Sequence, residues 1–365
     1  MTGSGHIFED SALALKMAER AHLLAGRIGR PVSLMEVCGT HTMSIARAGL
    51  RRLLPRNMKL LSGPGCPVCV TPPGVIDGIL SVARTPGVII TAFGDMLKVR
   101  GACASLEDCR RSGAQVQIIY SAQDALETAR QNPRNRVVFA GAGFETTTPS
   151  AALAVMQARD EKLENFSVYP AFKLVPPALR ALLENKTELD GFLLPGHVSS
   201  VIGLAPYSFV AGEFKKPCVV AGFEALDILH AVNLLLEQIL AGEPKVENAY
   251  PRAVRAQGNP EATRVTNAVF TAATARWRAI GDIPLSGLAF RPDWSAFDAR
   301  TVFEISEPDT PEPPGCLCGA VITGRAAPSD CPLFRTACTP ADAKGPCMVS
   351  SEGACAAWYR YGDPL

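Results

Sequence analysis

Six of the twelve cysteines of this chain lie close together, between residues 316 and 355. They are Cys316, Cys318, Cys331, Cys338, Cys347 and Cys355. A zinc knuckle or ribbon usually supplies paired C-x₂-C hooks, whereas this stretch has one C-x-C pair, single spaced thiols and no histidine. An iron–sulfur cluster needs four thiolates and accepts wider spacings, and two spare thiols beside it can form a redox-active disulfide. The spacing favours a cluster, with zinc, disulfides or unrelated free thiols as the alternatives.

Another pair of cysteines lies near the front of the chain, in residues 63–74, which are rich in glycine and proline. Cys66 and Cys69 are three residues apart, so their thiols can either bond to each other or share a metal ion. The glycines and prolines favour a tight, rigid loop. Because the Trp-Cys-Gly-Pro-Cys context of a thioredoxin site is missing, a general oxidoreductase fits poorly, and the segment predicts redox or metal-binding function.

Cys38 follows a predicted strand, and the residues after it open a predicted helix. A thiol at a helix N-terminus feels the positive end of the helix dipole, which lowers its pKa and favours a thiolate. His41, three residues later, could stabilise that thiolate, move a proton or bind a metal. The alternative is a small buried cysteine beside a helix cap. A Cys/His hydrolase has no local sequence pattern in its support.

Two further loops carry polar side chains at the ends of predicted strands. Residues 140–149 include Glu145, Thr146 and Thr147, but lack the third glycine of a dinucleotide-binding turn, and Glu145 would repel a pyrophosphate. The chain contains no P-loop pattern, which makes a P-loop nucleotidase a poor fit. His197 lies in the second loop, Pro-Gly-His-Val-Ser-Ser, where a structural role is the alternative to a functional one.

The elements that must position these residues have an α/β pattern. Short apolar runs predict strands at residues 33–37, 59–62, 88–93, 116–120, 136–140, 192–194 and 218–221. Helical stretches are predicted at residues 75–84, 122–131, 149–159, 176–185 and 224–240. Continuous apolar strands separated by helices are typical of parallel sheets buried on both faces. A repeated pattern of strand, Ala-Gly and Phe-Glu at residues 137–146 and 219–226 indicates two similar lobes.

The chain is predicted to divide into three parts. Residues 1–160 would form one α/β lobe and residues 161–305 a second, although the lobes could be discontinuous in sequence. A loop after residue 240 is followed by a predicted helix at residues 262–280. Residues 304–314, rich in proline and acids, predict an exposed linker. Residues 306–365 are too short and irregular to fold on apolar contacts alone, which favours stabilisation by the cysteines.

Composition limits the setting in which the protein works. The 365 residues carry a formal net charge of +1 and 47% hydrophobic residues, so no basic surface for nucleic acid or an anionic membrane is expected. No apolar run reaches the 18 residues of a membrane span, and the N-terminal residues do not read as a signal peptide. We therefore expect a cytoplasmic protein with reduced thiols.

Taken together, these motifs resemble the HypD family of hydrogenase maturation factors. The resemblance rests on Cys-Gly-Thr-His at 38–41, Gly-Pro-Gly-Cys-Pro-Val-Cys at 63–69, Gly-Phe-Glu-Thr-Thr-Thr-Pro at 143–149, Pro-Gly-His-Val-Ser at 195–199, and the six-cysteine tail. It implies a role in building the Fe(CN)₂CO group of [NiFe]-hydrogenases, together with a HypC-type chaperone. Cyanide would come from a HypE-type donor with its HypF-type partner. The implied fold is two α/β lobes and a C-terminal [4Fe-4S] segment.

The resemblance also implies roles for single residues. The cluster surroundings of the family resemble ferredoxin–thioredoxin reductase, with four thiolates on the cluster and two in a nearby disulfide. The implied cluster ligands are Cys316, Cys331, Cys338 and Cys355. The implied redox pair is Cys318 and Cys347.

The remaining implied roles concern the iron that receives cyanide and carbon monoxide. Cys38 would bind this iron, shared with a cysteine of the chaperone, with His41 as second donor or proton relay. Cys66 and Cys69 would pass electrons from the cluster to the iron, and Glu145 with its threonines would line the cleft.

These roles describe a redox-active assembly scaffold rather than an enzyme that turns over a free substrate. The alternatives are an iron–sulfur thiol oxidoreductase and a zinc protein with an interaction tail. Cys103, Cys109 and Cys218 belong to no recognisable motif.

Overall fold

The computed structural model describes residues 10–185 and 188–362. The prediction about the signal peptide concerns residues that lie partly outside this range. The strands are β1 (Val32–Glu36), β2 (Met58–Ser62), β3 (Val88–Ala92), β4 (Gln115–Ile118), β5 (Arg136–Gly143), β6 (Phe166–Phe172), β7 (Gly191–Pro195), β8 (Cys218–Ala221), β9 (Val246–Asn248), β10 (Phe270–Trp277) and β11 (Gly281–Phe290). All seven predicted strands are present, and the α/β class is confirmed.

Helices connect most of the strands. They are α1 (Ser11–Ile28), α2 (Gly39–Arg47), α3 (Leu50–Leu53), α4 (Pro67–Val70), α5 (Pro73–Ala83), α6 (Leu106–Arg111), α7 (Ala122–Gln131), α8 (Thr148–Asp160), α9 (Val175–Glu184), α10 (Gly196–Ile202), α11 (Ser208–Gly212), α12 (Ala225–Ala241), α13 (Pro260–Val269), α14 (Ala299–Val302), α15 (Cys318–Ile322), α16 (Pro346–Val349) and α17 (Ala354–Tyr361). Local sequence sets several ends: Ser105 and Ser121 form capping boxes, and Gly242 ends α12 in the left-handed conformation. No helix in the described part of the chain has the length and apolarity that crossing a membrane requires.

Two parallel sheets form the framework. The first has the strand order β2-β1-β7-β8-β9 and the second the order β4-β3-β5-β6. Strands such as β3, β5, β6, β7 and β8 are buried almost along their full length, because helices cover both faces of each sheet. The chain moves from the first sheet to the second after β2 and returns at β7. The lobes are therefore discontinuous in sequence, and the boundary predicted at residue 160 does not separate the two sheets.

The predicted helix at residues 262–280 is wrong over its second half. The helix α13 ends at Val269, and β10 then pairs with β11 in an antiparallel hairpin. Strands β6, β9, β10 and β11 have no counterpart among the strands that the sequence predicts. In β6, Pro170 argues against a strand in the middle of a sheet, but β6 lies at an edge of its sheet, where proline is tolerated.

The C-terminal segment beyond residue 304 is irregular, as predicted, and its described part, up to residue 362, contains three short α-helices. The predicted linker at residues 304–314 has no regular structure and is mostly exposed, yet its acids tie it to the rest of the chain. Glu307 accepts hydrogen bonds from Tyr169 (2.7 Å) and Arg300 (2.8 Å), and Glu312 pairs with the buried Arg278 at 2.5 Å. The cysteine-rich segment is thereby held against the α/β lobes.

Candidate functional site

The predicted site residues lie mainly where parallel strands end. In the first sheet, β1 leads to Cys38, β2 leads to Cys66, and β7 leads to His197. These three strands are consecutive neighbours in that sheet. Ligand sites of open α/β sheets form at this carboxyl edge, so the order of the strands brings together three motifs that are far apart in sequence.

Cys38 lies on a tightly packed turn between β1 and α2. Its backbone N–H donates to Glu36 Oε2 at 3.1 Å, and the N–H of Gly39 donates to the carbonyl of Gly65 at 2.8 Å. A Cβ atom at Gly65 would overlap backbone atoms of Val37 and Cys38. Glycine is therefore required where the two cysteine-bearing loops cross.

The expected low pKa of the Cys38 thiol does not occur in this structure. The amides of Thr40 and His41 at the start of α2 lower it, as a helix N-terminus should. Burial is the larger effect and, with the charge of Glu352, raises the pKa of Cys38 to about 12. The sequence shows the helix dipole but not the burial, which is why the sequence-based prediction had the wrong sign.

The imidazole of His41 is fully buried and has a defined tautomer. Its Nε2 donates to the carbonyl oxygen of Gly222 at 2.9 Å, so the lone pair of a neutral ring lies on Nδ1. Nδ1 has no hydrogen-bond partner among the described residues, and burial lowers the pKa of His41 to about 4. The side chain therefore offers a neutral nitrogen that can accept a proton or bind a metal.

His197 is brought close to His41 through an aromatic side chain that sequence analysis did not select. Phe223, directly after β8, has its ring centroid 3.9 Å from that of His197 and 4.8 Å from that of His41. His197 is exposed, and partial burial lowers its pKa. Phe223 thus contacts both histidines at the edge of the first sheet.

Glu145 follows β5 at the corresponding edge of the second sheet. Its carboxylate is buried: Oε1 accepts the N–H of Val175 at 2.9 Å, and Oε2 has no partner in the part of the chain that the structure describes. Burial raises the pKa of Glu145 to about 7. Thr146 is exposed, and Thr147 packs where a Cβ of Gly143 would lie. The motif therefore provides one buried carboxyl and one solvent-facing hydroxyl.

The free energy of unfolding of the Glu145→Gln variant, relative to that of the wild type, is expected to increase as the pH rises from about 4.5 to about 7. The folded-state pKa of about 7 lies above the ordinary value of 4.5, so folding takes up a proton in this window and wild-type stability falls as pH rises. Glutamine cannot ionise, so the stability difference should grow by on the order of 3 kcal/mol. Urea unfolding across this pH range measures it, and a pH-independent difference would contradict the assignment.

Tyr207 is a residue of this region that the sequence did not reveal. Its side chain is fully buried, and its hydroxyl lies 3.4 Å from that of Ser199, in the His197 motif. Burial and the charges of Glu145, Cys218 and Cys38 hold the pKa of Tyr207 well above its ordinary value. The phenol thus lies between the edges of the two sheets. An isolated tyrosine after a helix carries no sequence pattern that could have indicated this position.

Cys66 and Cys69 form a disulfide, one of the two alternatives that the sequence left open. Their Cα atoms are 5.2 Å apart, and the disulfide lies at the start of α4. The sulfur of Cys69 lies 3.9 Å from the carbonyl oxygen of Pro346, the residue before Cys347. The disulfide is therefore in contact with the cysteine-rich segment on one side and, through Gly65, with the Cys38 turn on the other.

All six C-terminal cysteines line one common pocket, which Phe334 and Met348 help to close. The sulfurs of Cys318 and Cys347 are 2.8 Å apart. The pKa of Cys318 is lowered, chiefly because Cys347 donates a hydrogen bond to it, and that of Cys347 is raised for the same reason. These are the two thiols that the resemblance implied as the redox pair.

The other four cysteines line the same pocket. Burial, together with the charges of Cys318, Cys331 and Cys355, raises the pKa of Cys316 to about 12. The sulfur of Cys338 accepts the N–H of Lys344 at 3.3 Å. Among the described residues, no three histidine, cysteine or acidic side chains converge closely enough to hold a single metal ion.

The three cysteines without a motif lie apart from these groups. Cys103 is exposed in a loop, Cys109 is buried in α6, and Cys218 is buried in β8. Burial raises the pKa of Cys218 to about 12, as it does for Cys38.

Comparison with known proteins identifies the family of this chain. A profile of HypD, described as "Hydrogenase formation hypA family", matches residues 12–362. The chain is 45% identical over 347 residues to the hydrogenase maturation factor HypD of Escherichia coli, covering 94% of this chain and 93% of that protein. It is 45% identical over 365 residues to HypD of Rhodobacter capsulatus, with 97% of each chain covered. A putative hydrogenase expression/formation protein of Methanocaldococcus jannaschii is 38% identical over 352 residues, with 96% of this chain and 98% of that protein covered. This chain therefore belongs to the HypD family of hydrogenase maturation factors.

Proposed function

We propose that this protein is a cytoplasmic scaffold on which the Fe(CN)₂CO group of a [NiFe]-hydrogenase is assembled. It acts with a HypC-type chaperone and receives cyanide from a HypE-type donor with its HypF-type partner. The observation that carries the proposal is the contiguity of three sulfur sites: the Cys38 turn, the Cys66–Cys69 disulfide and the six-cysteine pocket. A site for iron would thus be connected to a source of electrons within one chain.

Cys38 is proposed as the ligand of the iron that is processed. Low-spin iron with CN⁻ and CO as ligands is favoured by soft, electron-rich donors, and a thiolate is such a donor where a carboxylate is not. The residue is 8% exposed, which leaves limited access for an ion while excluding most water. Nδ1 of His41, with its free lone pair, is proposed as a second donor or proton relay.

Cys316, Cys331, Cys338 and Cys355 are proposed to hold a [4Fe-4S] cluster. In such a cluster each thiolate binds a different iron, so the four ligands need not converge on one point, and all four line the same pocket. The backbone N–H that Cys338 accepts is the kind of hydrogen bond that tunes cluster sulfurs. When bound, the cluster would supply single electrons.

Cys318 and Cys347 are proposed to pass electrons to the Cys66–Cys69 disulfide by thiol–disulfide exchange. A thiolate of the reduced pair attacks one sulfur of the disulfide, forming a mixed disulfide and releasing a thiolate, which takes up a proton. The second thiol of the pair then closes the Cys318–Cys347 disulfide, giving up its proton and leaving Cys66 and Cys69 as two thiols. Two electrons and two protons move in total, and the contact of the Cys69 sulfur with the carbonyl oxygen of Pro346, next to Cys347 in the chain, supports this route.

Glu145, Thr146, Thr147 and His197 are proposed to line the cleft in which the diatomic ligands reach the iron. The exposed Thr146 hydroxyl and the exposed His197 ring can donate hydrogen bonds to cyanide nitrogen. The buried Glu145 carboxyl, with an unpartnered Oε2, can hold or release a proton at near-neutral pH.

The test is metal analysis combined with infrared spectroscopy of the protein purified together with a HypC-type chaperone. A scaffold of this kind contains iron and shows the stretching bands of iron-bound CO and CN⁻. Iron without those bands would instead support the second candidate, an iron–sulfur thiol oxidoreductase of the ferredoxin–thioredoxin reductase type. That candidate is favoured only by the two adjacent thiol pairs. Zinc in place of iron would overturn both.

A further inference from the structure

Part of the cysteine-rich segment lies directly on the turn that carries Cys38. Glu352 Oε1 accepts a hydrogen bond from the hydroxyl of Thr40 at 2.6 Å, although the two residues are 312 positions apart. A Cβ atom at Gly39 would lie 2.5 Å from the Cβ of Glu352 and 2.9 Å from its carbonyl oxygen. The close approach requires a glycine directly after Cys38. Glu352 therefore forms one wall of the Cys38 turn.

The segment that bears Glu352 is also fixed at its other end. Asp95, just after β3 of the second sheet, accepts hydrogen bonds at Oδ2 from the Ser350 hydroxyl (3.0 Å), the Ser351 N–H (3.0 Å) and the Ser351 hydroxyl (2.9 Å). The Ser350 hydroxyl in turn accepts the N–H of Glu352 at 3.1 Å. A continuous chain of hydrogen bonds thus runs from the edge of the second sheet to the edge of the first.

Glu352 lies in sequence between two cysteines that have different proposed roles. Residues 350–352 lie between Cys347 of the proposed redox pair and Cys355 of the proposed cluster ligands. The helix α17, which carries Cys355, begins two residues after Glu352. Any change in the geometry of the six-cysteine pocket therefore reaches the Cys38 turn through Glu352 by a short path of covalent and hydrogen bonds.

We propose that Glu352 is a positioning residue that holds the Cys38 turn in the conformation required to bind iron. Its carboxylate fixes the first turn of α2 through Thr40, and its backbone packs against Gly39. The effect on iron binding rests on the proposed role of Cys38. The hold of Glu352 on the Cys38 turn does not. Holding the turn in place would favour binding of a soft transition-metal ion by the Cys38 thiolate.

The inference can be tested by hydrogen–deuterium exchange of the peptide that covers residues 37–47, followed by mass spectrometry. In the wild type the amides of Gly39 and Thr42 are hydrogen-bonded to Gly65 and Cys38. Glu352→Ala removes a charge-assisted hydrogen bond, so exchange of this peptide should become at least about ten-fold faster. Glu352→Gln keeps the acceptor oxygen and should restore exchange close to the wild-type rate.

A second variant keeps the test decisive if Glu352→Ala disturbs the cysteine-rich segment. Thr40→Val removes the donor from the other side of the contact, has nearly the same shape and leaves that segment unaltered. It should accelerate exchange of the same peptide, while the peptide that covers α13 serves as an internal reference. Unchanged exchange in both Glu352→Ala and Thr40→Val would overturn the inference.

An infrared measurement separates positioning of the iron from a purely structural role. In the protein purified with its chaperone, Glu352→Ala should shift or broaden the CO and CN⁻ bands, and Glu352→Gln should restore them. Bands unchanged in Glu352→Ala would show that Glu352 does not position the iron ligand. Complete absence of bands in the wild type would count against the proposed function and leave the exchange result valid.

Discussion

Replacement of Cys38 by alanine is expected to abolish the CO and CN⁻ infrared bands of the protein purified with a HypC-type chaperone. The proposal makes this thiolate the contribution of the chain to the iron, and no other cysteine sulfur is available on the same turn. Removing a group that only supports a metal ligand typically costs about 10–100-fold in affinity or activity, so removing the ligand itself should cost more. The measurement is the band intensity per protein, with iron content determined on the same sample.

Cys218→Ala is the matched control for this experiment. Cys218 is buried, lies in the same sheet, and has a pKa raised to about 12 by burial, as Cys38 has. It is at the start of β8 rather than at the carboxyl edge of the sheet, so its removal should leave the bands unchanged. If Cys38→Ala retained the bands, the assignment of the iron ligand would be wrong, whatever the control showed.

The second large effect is expected within the six-cysteine pocket. Cys316→Ser should abolish the visible absorbance of a [4Fe-4S] cluster, because a serine oxygen is a poor substitute for a thiolate on iron. Cys318→Ser should retain the absorbance, because Cys318 is proposed to pair with Cys347, whose sulfur is 2.8 Å away. The two positions are two residues apart, so each variant controls for the general effect of substitution in this segment.

The measurements are the absorbance and the iron and sulfide content of the anaerobically prepared variants. Disulfide mapping of the oxidised wild type should detect a peptide pair that joins Cys318 to Cys347. The opposite outcome, in which Cys318→Ser loses the cluster and Cys316→Ser keeps it, would refute the division into four ligands and two redox thiols. Retention of absorbance in both variants would refute the assignment of Cys316 as a ligand.

The Cys66–Cys69 disulfide lies between the Cys38 turn and the six-cysteine pocket, and this position suits it to pass electrons from one to the other. Gly65 brings the loop with Cys66 and Cys69 against the backbone of Cys38, and the sulfur of Cys69 contacts the carbonyl oxygen of Pro346, the residue before Cys347. In thiol–disulfide exchange one sulfur attacks another, so a relay of this kind requires its members to be neighbours. Small residues and prolines at the crossings permit that approach.

Much of the fold could be predicted from the sequence, because the signals are local. Apolar β-branched runs such as β3 and β5 are long enough to indicate buried parallel strands, and helices such as α7 and α12 have clear periodicity and caps. Prediction failed where local signals conflict with the environment. Pro170 concealed β6, and residues 270–277 continue a helical pattern from α13 although they pair with β11.

By itself the sequence determined the chemistry that this protein can offer. The residue types and spacings of the cysteine motifs are covalent facts, and together they are specific enough to indicate the family. The α/β class followed from the same kind of local pattern.

Only the tertiary structure decided which of these groups meet and what their surroundings do to them. Contacts such as Thr40 with Glu352, or Cys69 with Pro346, join residues hundreds of positions apart and depend on how the two sheets and the C-terminal segment pack. Burial depends on the same packing, and it reversed the expected shift in the pKa of Cys38. Desolvation is a property of everything that surrounds a group, which is why no local pattern of residues could have revealed it.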